Sequence, residues 1–258
     1  MHHAHIDKFA YQDSPVHRLD SRVKFIVALV FTALVISLPA TSLSILACYA
    51  VAPFAFLVLG KIPIKFALKH ILVVSPFVLV LALSCPLYDK TPFTMAFGPF
   101  TWESSTGWMR CFTILGKFIV TMLALIALVS TTRFNDLLAG LQKMGLPKLL
   151  TIQLGFLYRY IFILIDKAHH ILRARAGRKL KNLGAKTELK TAAAMLGSLL
   201  IRSLETAERI NIAMQARGFT RKWRTISMLR IRSSDLVFAI ASAAFLLGLH
   251  FFIRPILL

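Results

Sequence analysis

Apolar residues run almost unbroken through the first half of the chain, then give way to apolar positions at helical spacing among basic ones. No charged residue occurs between Phe25 and Gly60, a run of 36 residues. As one helix it would be about 54 Å long, whereas the hydrocarbon layer of a bilayer is about 30 Å thick. The run must fold back once. Pro39-Ala40-Thr41-Ser42 supplies the turn, because Pro breaks a helix and Thr or Ser can cap the next. Spans are predicted near Val23–Leu38 and Leu43–Leu59. Gly60-Lys61-Ile62-Pro63 is a second turn, and the third span covers roughly Phe66–Ser84. A loop is expected from Cys85 to Arg110, broken by Pro86, Pro92, Gly98, Pro99 and Gly107. Its Trp102 and Trp108 suit a membrane interface. A fourth span lies within Cys111–Thr132, and Leu236–Ile253 is the last.

Composition agrees with this pattern. Of 258 residues, 57% are hydrophobic and 16% charged, against about 45–50% and about 25% in soluble domains. That excludes an unstructured or collagen-like chain and makes a polytopic membrane protein the expectation. The start, Met1-His2-His3-Ala4-His5-Ile6-Asp7, lacks the basic-then-apolar order of a signal peptide, so the first apolar segment is expected to stay attached.

The formal net charge is +20, and residues 131–235 hold twenty Lys or Arg against six Asp or Glu. Placing the N-terminus inside puts 27 basic residues on the inner side and three outside, with Lys117 inside the fourth span. Lys and Arg accumulate on the cytoplasmic side, so the N-terminus is expected inside and the C-terminus outside, in a bacterial inner membrane. The expected fold is an all-α membrane protein with about five transmembrane helices plus a cytoplasmic coupling domain of long amphipathic helices. The divisions are 1–22, a cytoplasmic N-terminal segment; 23–132, helices one to four; 133–233, the cytoplasmic domain; and 234–258, the last span. Residues 149–165 are apolar enough for a sixth span but carry Gln153, Arg159, Tyr158 and Tyr160. An Arg at the centre of a lone span costs about 2.5–3.5 kcal/mol, so an amphipathic helix under the spans is preferred.

The basic region contains an internal echo. Ala168, Ile171, Ala174 and Arg178 are matched by Ala207, Ile210, Ala213 and Arg217, all at an offset of 39. Spacings of three, three and four put the small and apolar members on one side of a helix, with Arg at its far end. Gly177 and Gly218 stand beside these arginines, where glycine ends a helix or admits a close neighbour. Each Arg alone is ordinary complementation of a helix dipole or ordinary basic bias of an inner loop. The matched pair points further, to two similar docking sites on a dimeric or pseudo-symmetric partner.

Catalytic chemistry is missing. There is no Gly-x-x-x-x-Gly-Lys-Ser/Thr, no His-Glu-x-x-His, and no Asp or Glu in the five spans. No catalytic residue, metal ligand or cofactor is assigned. His2, His3 and His5 read as a tail, and His70 and His250 as locally satisfied. Cys48, Cys85 and Cys111 form no scaffold, although Cys85 and Cys111 flank the outer loop and a disulfide between them is a possibility.

The chain resembles the transmembrane T component of energy-coupling factor ABC transporters, most closely the CbiQ type of cobalt importers. The resemblance is carried by Asp13-Ser-Pro-Val-His17-Arg18-Leu-Asp20-Ser-Arg22-Val-Lys24, Thr131-Thr-Arg-Phe-Asn-Asp136-Leu-Leu, Met144-Gly-Leu-Pro147, Tyr158-Arg159-Tyr160 and the two Arg-tipped helices. It implies that two cytoplasmic helices end in short Arg motifs, each entering a groove of one ATPase subunit. Those roles fall to Arg178 and Arg217. Arg175, within Ala174-Arg175-Ala176, is a competing register for the first. The implied partners are two CbiO-like ABC ATPase subunits, a CbiM-like substrate-binding S component with or without a CbiN-like small subunit, and membrane lipid, with no nucleic acid. Small positions Ala139, Gly140, Ala192–Ala194 and Gly197 permit close packing on the S component. Cobalt is the implied substrate, with nickel or a vitamin as alternatives. The opposing class is a basic membrane protein that binds anionic lipid or nucleic acid without an ATPase.

Overall fold

The computed structural model describes residues 9–39, 43–88, 92–97, 100–178, 184–219 and 232–257. In chain order the elements are α1 (Ser21–Ser37), α2 (Leu43–Leu59), α3 (Ile64–Tyr88), β1 (Pro92–Phe97), β2 (Phe100–Ser105), α4 (Thr106–Thr131), α5 (Phe134–Lys143), α6 (Lys148–Ala176), α7 (Gly184–Ala216) and α8 (Ser233–Leu257). The protein is an all-α membrane protein with one short hairpin. The chain divides into two compact units, one built on residues 4–144 and 227–258, the other on residues 145–226.

In the first unit the five apolar runs read from the sequence form helices α1, α2, α3, α4 and α8. Helix α4 is the hub, packed on α1, α2 and α3. One apolar cluster joins Phe31 and Val35 of α1, Tyr49 of α2, Val120 of α4 and Leu246 of α8. A second joins Leu57 of α2, Ala67 and Ile71 of α3 and Ile126 and Ala127 of α4. Helices α3 and α4 are long and apolar enough to cross a membrane, with mean hydropathy 2.2 and 2.4.

The turn after α2 is set by two residues. The Ile62 N–H donates to Leu57 O and the Lys61 N–H to Val58 O, closing a Schellman-type cap with Lys61 in the left-handed region at φ 54°. A Cβ on Gly60 would lie 3.2 Å from Thr131 Cγ2 and 3.1 Å from Phe56 O, so glycine lets the end of α4 approach.

The loop expected over residues 85–110 is shorter than read. Helix α3 continues to Tyr88 through Pro86, and α4 begins at Thr106. Between them β1 and β2 pair antiparallel from Pro92 opposite Ser105 to Phe97 opposite Phe100. A proline in the last turn of a helix forfeits one backbone bond without stopping it. The alternation Phe93, Met95, Phe97 was a strand signal that the prolines and glycines obscured.

Helix α5 belongs to this first unit. Its Leu138, Ala139 and Gly140 are buried, and a Cβ on Gly140 would meet Ser21 Oγ at 2.7 Å and Arg22 Cγ at 3.2 Å. Ala139 and Gly140 therefore close the packing of α5 on α1. They are spent inside the chain and do not serve the partner contact expected of them.

The second unit is a helix pair. Helix α6 has 29 residues and α7 has 33, about 44 and 50 Å long. They run antiparallel: Arg175 meets Glu188 near the connection, and Phe156 packs on Phe219 at the other end, with ring centroids 6.2 Å apart. No residue of α7 is buried. Its half-buried side mixes small or polar residues, such as Ala192, Ser198, Ser203 and Thr206, with Met195, Leu199, Ile210 and Met214. Leu189, Leu196, Leu200 and Leu204 on its other side are 58–73% exposed. Of the small positions named above, Ala192 is on the half-buried side, whereas Ala193, Ala194 and Gly197 are exposed.

Candidate functional site: two arginine tips about a helix crossing

Lys167 of α6 donates a hydrogen bond to Thr206 Oγ1 of α7, and the two residues are 39 apart. That separation is the repeat offset. One repeat-equivalent pair thus meets between the helices, as an approximate twofold axis would produce, while the Arg175–Glu188 contact does not follow that offset. Arg178 lies eleven residues beyond Lys167, and Arg217 eleven beyond Thr206. Because the helices are antiparallel, the arginines lie on opposite sides of the crossing, each about 16 Å from it along its helix.

The two tips are closed differently. Helix α7 ends in a Schellman cap: the Phe219 N–H donates to Met214 O at 3.0 Å and the Gly218 N–H to Gln215 O at 2.9 Å. Gly218 has φ +73°, which an L side chain rarely adopts. Phe219 then packs on Phe156, so residues 218–219 just after Arg217 are held against α6. Gly177 has φ −67° and ψ −18°, ordinary helical values. A Cβ there would meet nothing closer than Arg173 O at 3.8 Å. Gly177 is therefore not required by backbone conformation, and Arg178 follows in a relaxed final turn, its N–H donating to Arg175 O.

Arg175 and Arg178 also differ. Arg175 Nη2 donates to Glu188 Oε2 at 2.6 Å, with both side chains about one-third exposed or less. Arg178 and Arg217 are exposed, and no ion pair holds either among the described residues. Arg175 is committed to holding α7, while the repeat-related arginines are presented outward.

The chain has a clear set of relatives. The profile of the family described as "Cobalt transport protein", CbiQ, matches residues 12–227. The chain belongs to this family. It is 28% identical over 232 residues to the energy-coupling factor transporter transmembrane protein EcfT of Leuconostoc gelidum, covering 85% of each chain. It is 33% identical over 111 residues to the cobalt transport protein CbiQ of Rhodobacter capsulatus, covering 43% of this chain and 44% of the relative. An uncharacterized protein of Methanocaldococcus jannaschii is 24% identical over 256 residues, covering 97% of this chain and 87% of the relative. The chain is thus a T component of the energy-coupling factor type, a membrane-located component of a transporter.

The other CbiQ-like motifs fall into structural roles. The N-terminal motif forms a clasp in the first unit. Asp20 caps α1 by accepting the Arg22 N–H at 2.9 Å. Its own N–H donates to Asp235 Oδ1 at 2.9 Å, while Asp235 Oδ2 accepts the Arg232 N–H at 2.7 Å and so caps α8. Buried Lys24 donates to Thr131 O at 2.9 Å and lies near Asp20, Asp136 and Asp235. Ser21 Oγ donates to Asp136 O at 2.8 Å. One buried polar knot therefore ties α1, the α4–α5 junction and α8. Arg133 of the second motif lies over the Tyr11 ring, 4.7 Å from its centroid.

His17 braces the segment before α1. Its Nε2–H donates to Phe9 O at 2.9 Å, and the Ser14 hydroxyl donates to Nδ1 at 2.7 Å. The carbonyl can only accept, which fixes the neutral tautomer. Burial lowers the His17 pKa below 6.5, the Phe9 bond opposes this, and the Lys24 charge lowers it further.

Tyr158, Arg159 and Tyr160 lie on α6, with Arg159 exposed. Helix α6 runs unbroken through 149–165 and is itself long and apolar enough to cross a membrane, with mean hydropathy 1.5. His2, His3 and His5 lie outside the described residues. Cys48, Cys85 and Cys111 are free thiols. No cluster of metal-ligating side chains occurs among the described residues. The sequence reading missed the clasp. Asp20 and Asp235 immediately precede or open apolar runs, which is the cap signal that pointed to them.

Proposed function

We propose that this chain is the non-catalytic coupling subunit of an energy-coupling factor importer, in which Arg178 and Arg217 each dock into one subunit of an ABC ATPase pair. The observation that carries this is the repeat-related Lys167–Thr206 contact, which sets the two arginines at equal distances on either side of one crossing. A dimeric engine presents two equivalent grooves, and two equivalent levers match it. Guanidinium is permanently charged and offers five donors in a planar fork, so a groove with carboxylates or carbonyls can grip it bidentately. Closure of the ATPases on nucleotide would move the tips, and stiff helices would carry that motion to a substrate-binding S component. The exposed Leu189, Leu196, Leu200 and Leu204 face of α7 is the surface proposed for the S component.

The tips then face the cytoplasm, the N-terminus is inside and the C-terminus outside, in keeping with the basic bias of residues 131–235. Helix α6 lies at the inner interface, its exposed Arg159 spared the cost of a bilayer centre. Cobalt ion is the proposed substrate, after the family's description. The test is the Arg178→Ala, Arg217→Ala double variant, co-expressed with its ATPase and S component. Loss of ATPase co-purification and of cobalt uptake is expected, and retention of both overturns the assignment. Nickel competing against cobalt uptake as strongly as unlabelled cobalt overturns the choice of metal alone.

A further inference from the structure

A polar cleft of about 400 Å³ opens at the helix crossing, lined by Lys167 and His170 of α6 and Arg202, Glu205, Thr206 and Arg209 of α7. Three basic side chains, Lys167, Arg202 and Arg209, and one carboxylate face it. Glu205 is taken by Arg209, at 3.6 Å, and Arg202 has no ion-pair partner among the described residues. Thr206 donates its hydroxyl proton to Arg202 O at 2.6 Å and accepts from Lys167. The Lys167 ammonium spends one of its three donors there, and two remain for the cleft. Like charges gathered at one cavity repel, and an anion placed among them reverses the sign of that energy.

We propose that this cleft binds a phosphate group, held by Lys167, Arg202 and Arg209 and flanked by His170. Two guanidiniums and an ammonium are the donors that suit phosphate oxygens. Exposed apolar side chains lie one helical turn from residues of the cleft. Ile163 lies four residues before Lys167 on α6, Ile201 four before Glu205 on α7, and Ile212 three after Arg209, and residues at these spacings are surface neighbours. They are 42%, 61% and 65% exposed. A charged head site edged by exposed apolar residues is the pattern of contact with an anionic phospholipid. The inference goes beyond the coupling role and does not depend on the arginine tips, because the cleft uses neither Arg178 nor Arg217.

The test uses the full chain in two arms. In detergent, inorganic phosphate binding is measured by calorimetry. In nanodiscs of mixed phosphatidylcholine and phosphatidylglycerol, the lipid retained on extraction is read by native mass spectrometry. The cleft variant is Arg202→Gln with Arg209→Gln, and Lys167→Gln is an independent single change. Arg173→Gln with Lys190→Gln removes equal charge from exposed positions elsewhere on the same helices. Ten-fold or greater loss of phosphatidylglycerol retention in both cleft variants, and not in the control, is expected and identifies the phospholipid as the source. Loss confined to inorganic phosphate binding supports the site with free phosphate as its ligand. A wild-type chain that binds neither, cleft variants that bind both as wild type does, or a control that falls equally overturns the proposal. Matching helicity by circular dichroism separates these outcomes from unfolding.

Discussion

The Lys117 ammonium donates to the Leu38 carbonyl at 2.6 Å, and to that of Ile36 at 3.1 Å. A cation in the middle of α4 thereby caps the C-terminal end of α1, where Pro39 begins the turn and the last carbonyls have no helical donor. The sequence offered Lys117 only as an isolated charge within a span. Replacing it with Met keeps the apolar stem and strands those carbonyls. A loss of about 1–3 kcal/mol is expected, seen as a lower thermal midpoint in detergent. Lys117→Arg retains donors and is expected to fall less. Equal midpoints for wild type and Lys117→Met would show that the cap contributes nothing.

The polar clasp sets the second prediction. Asp235 is 1% exposed and Lys24 3%, so removing one partner leaves the rest of the knot uncompensated. Each buried backbone N–H left without its acceptor costs about 1–3 kcal/mol. Asp235→Ala is expected to lose both the Asp20 and the Arg232 backbone bonds, and with them the joint between α1 and α8. Proteolysis cutting at the start of α8 faster than in wild type would report it directly. Asp235→Asn keeps one acceptor oxygen and is expected to be intermediate.

How much of this was legible depends on the kind of signal. Uncharged runs placed α1, α2, α3, α4 and α8 within a few residues, because a bilayer accepts little besides apolar helix. The offset of 39 was visible as letters, and the Lys167–Thr206 contact has the same separation. Contacts between distant residues left no such trace. Nothing near Asp20 names Asp235, 215 positions away. Gly177 and Gly218 looked alike because both adjoin the repeat arginines, yet only Gly218 follows its Arg, at the left-handed position of a cap. Gly140 looked like an open docking position because small residues permit close approach without saying to what. It closes on Ser21 of the same chain.

The two glycines can be told apart by alanine. Gly218→Ala forces a Cβ into φ +73° and is expected to cost about 1–2 kcal/mol. It also loosens Phe219 from Phe156 and so misplaces Arg217. Gly177→Ala meets no close atom and sits at helical angles, so a gain of about 0.4–1 kcal/mol is expected. Thermal midpoints moving in opposite directions would bear this out, and Gly218→Ala should also weaken ATPase co-purification.

Arg175 and Arg178 make a similar pair. If Arg175 holds α7 through Glu188, then Arg175→Gln and Glu188→Gln should weaken the helix hairpin by similar amounts. Their double variant should lose little more than one alone. Arg178→Gln should leave the hairpin intact and reduce ATPase co-purification. The reverse pattern would move the docking role to Arg175.

His17 gives the clasp a pH dependence. Its folded-state pKa lies below 6.5 because burial and the Lys24 charge oppose protonation, so the unfolded chain binds the proton more readily. Stability is then greater at high pH: the His17 contribution is full above 6.5 and is lost as pH falls from 6.5 through the lower folded value. Protonation would also put a donor on Nδ1, where the Ser14 hydroxyl now donates. Wild type should lose more thermal stability than His17→Gln between about pH 7.5 and about pH 5.5. The Gln variant keeps a donor for Phe9 O while having no proton to gain, so parallel curves for the two proteins would remove His17 as the cause.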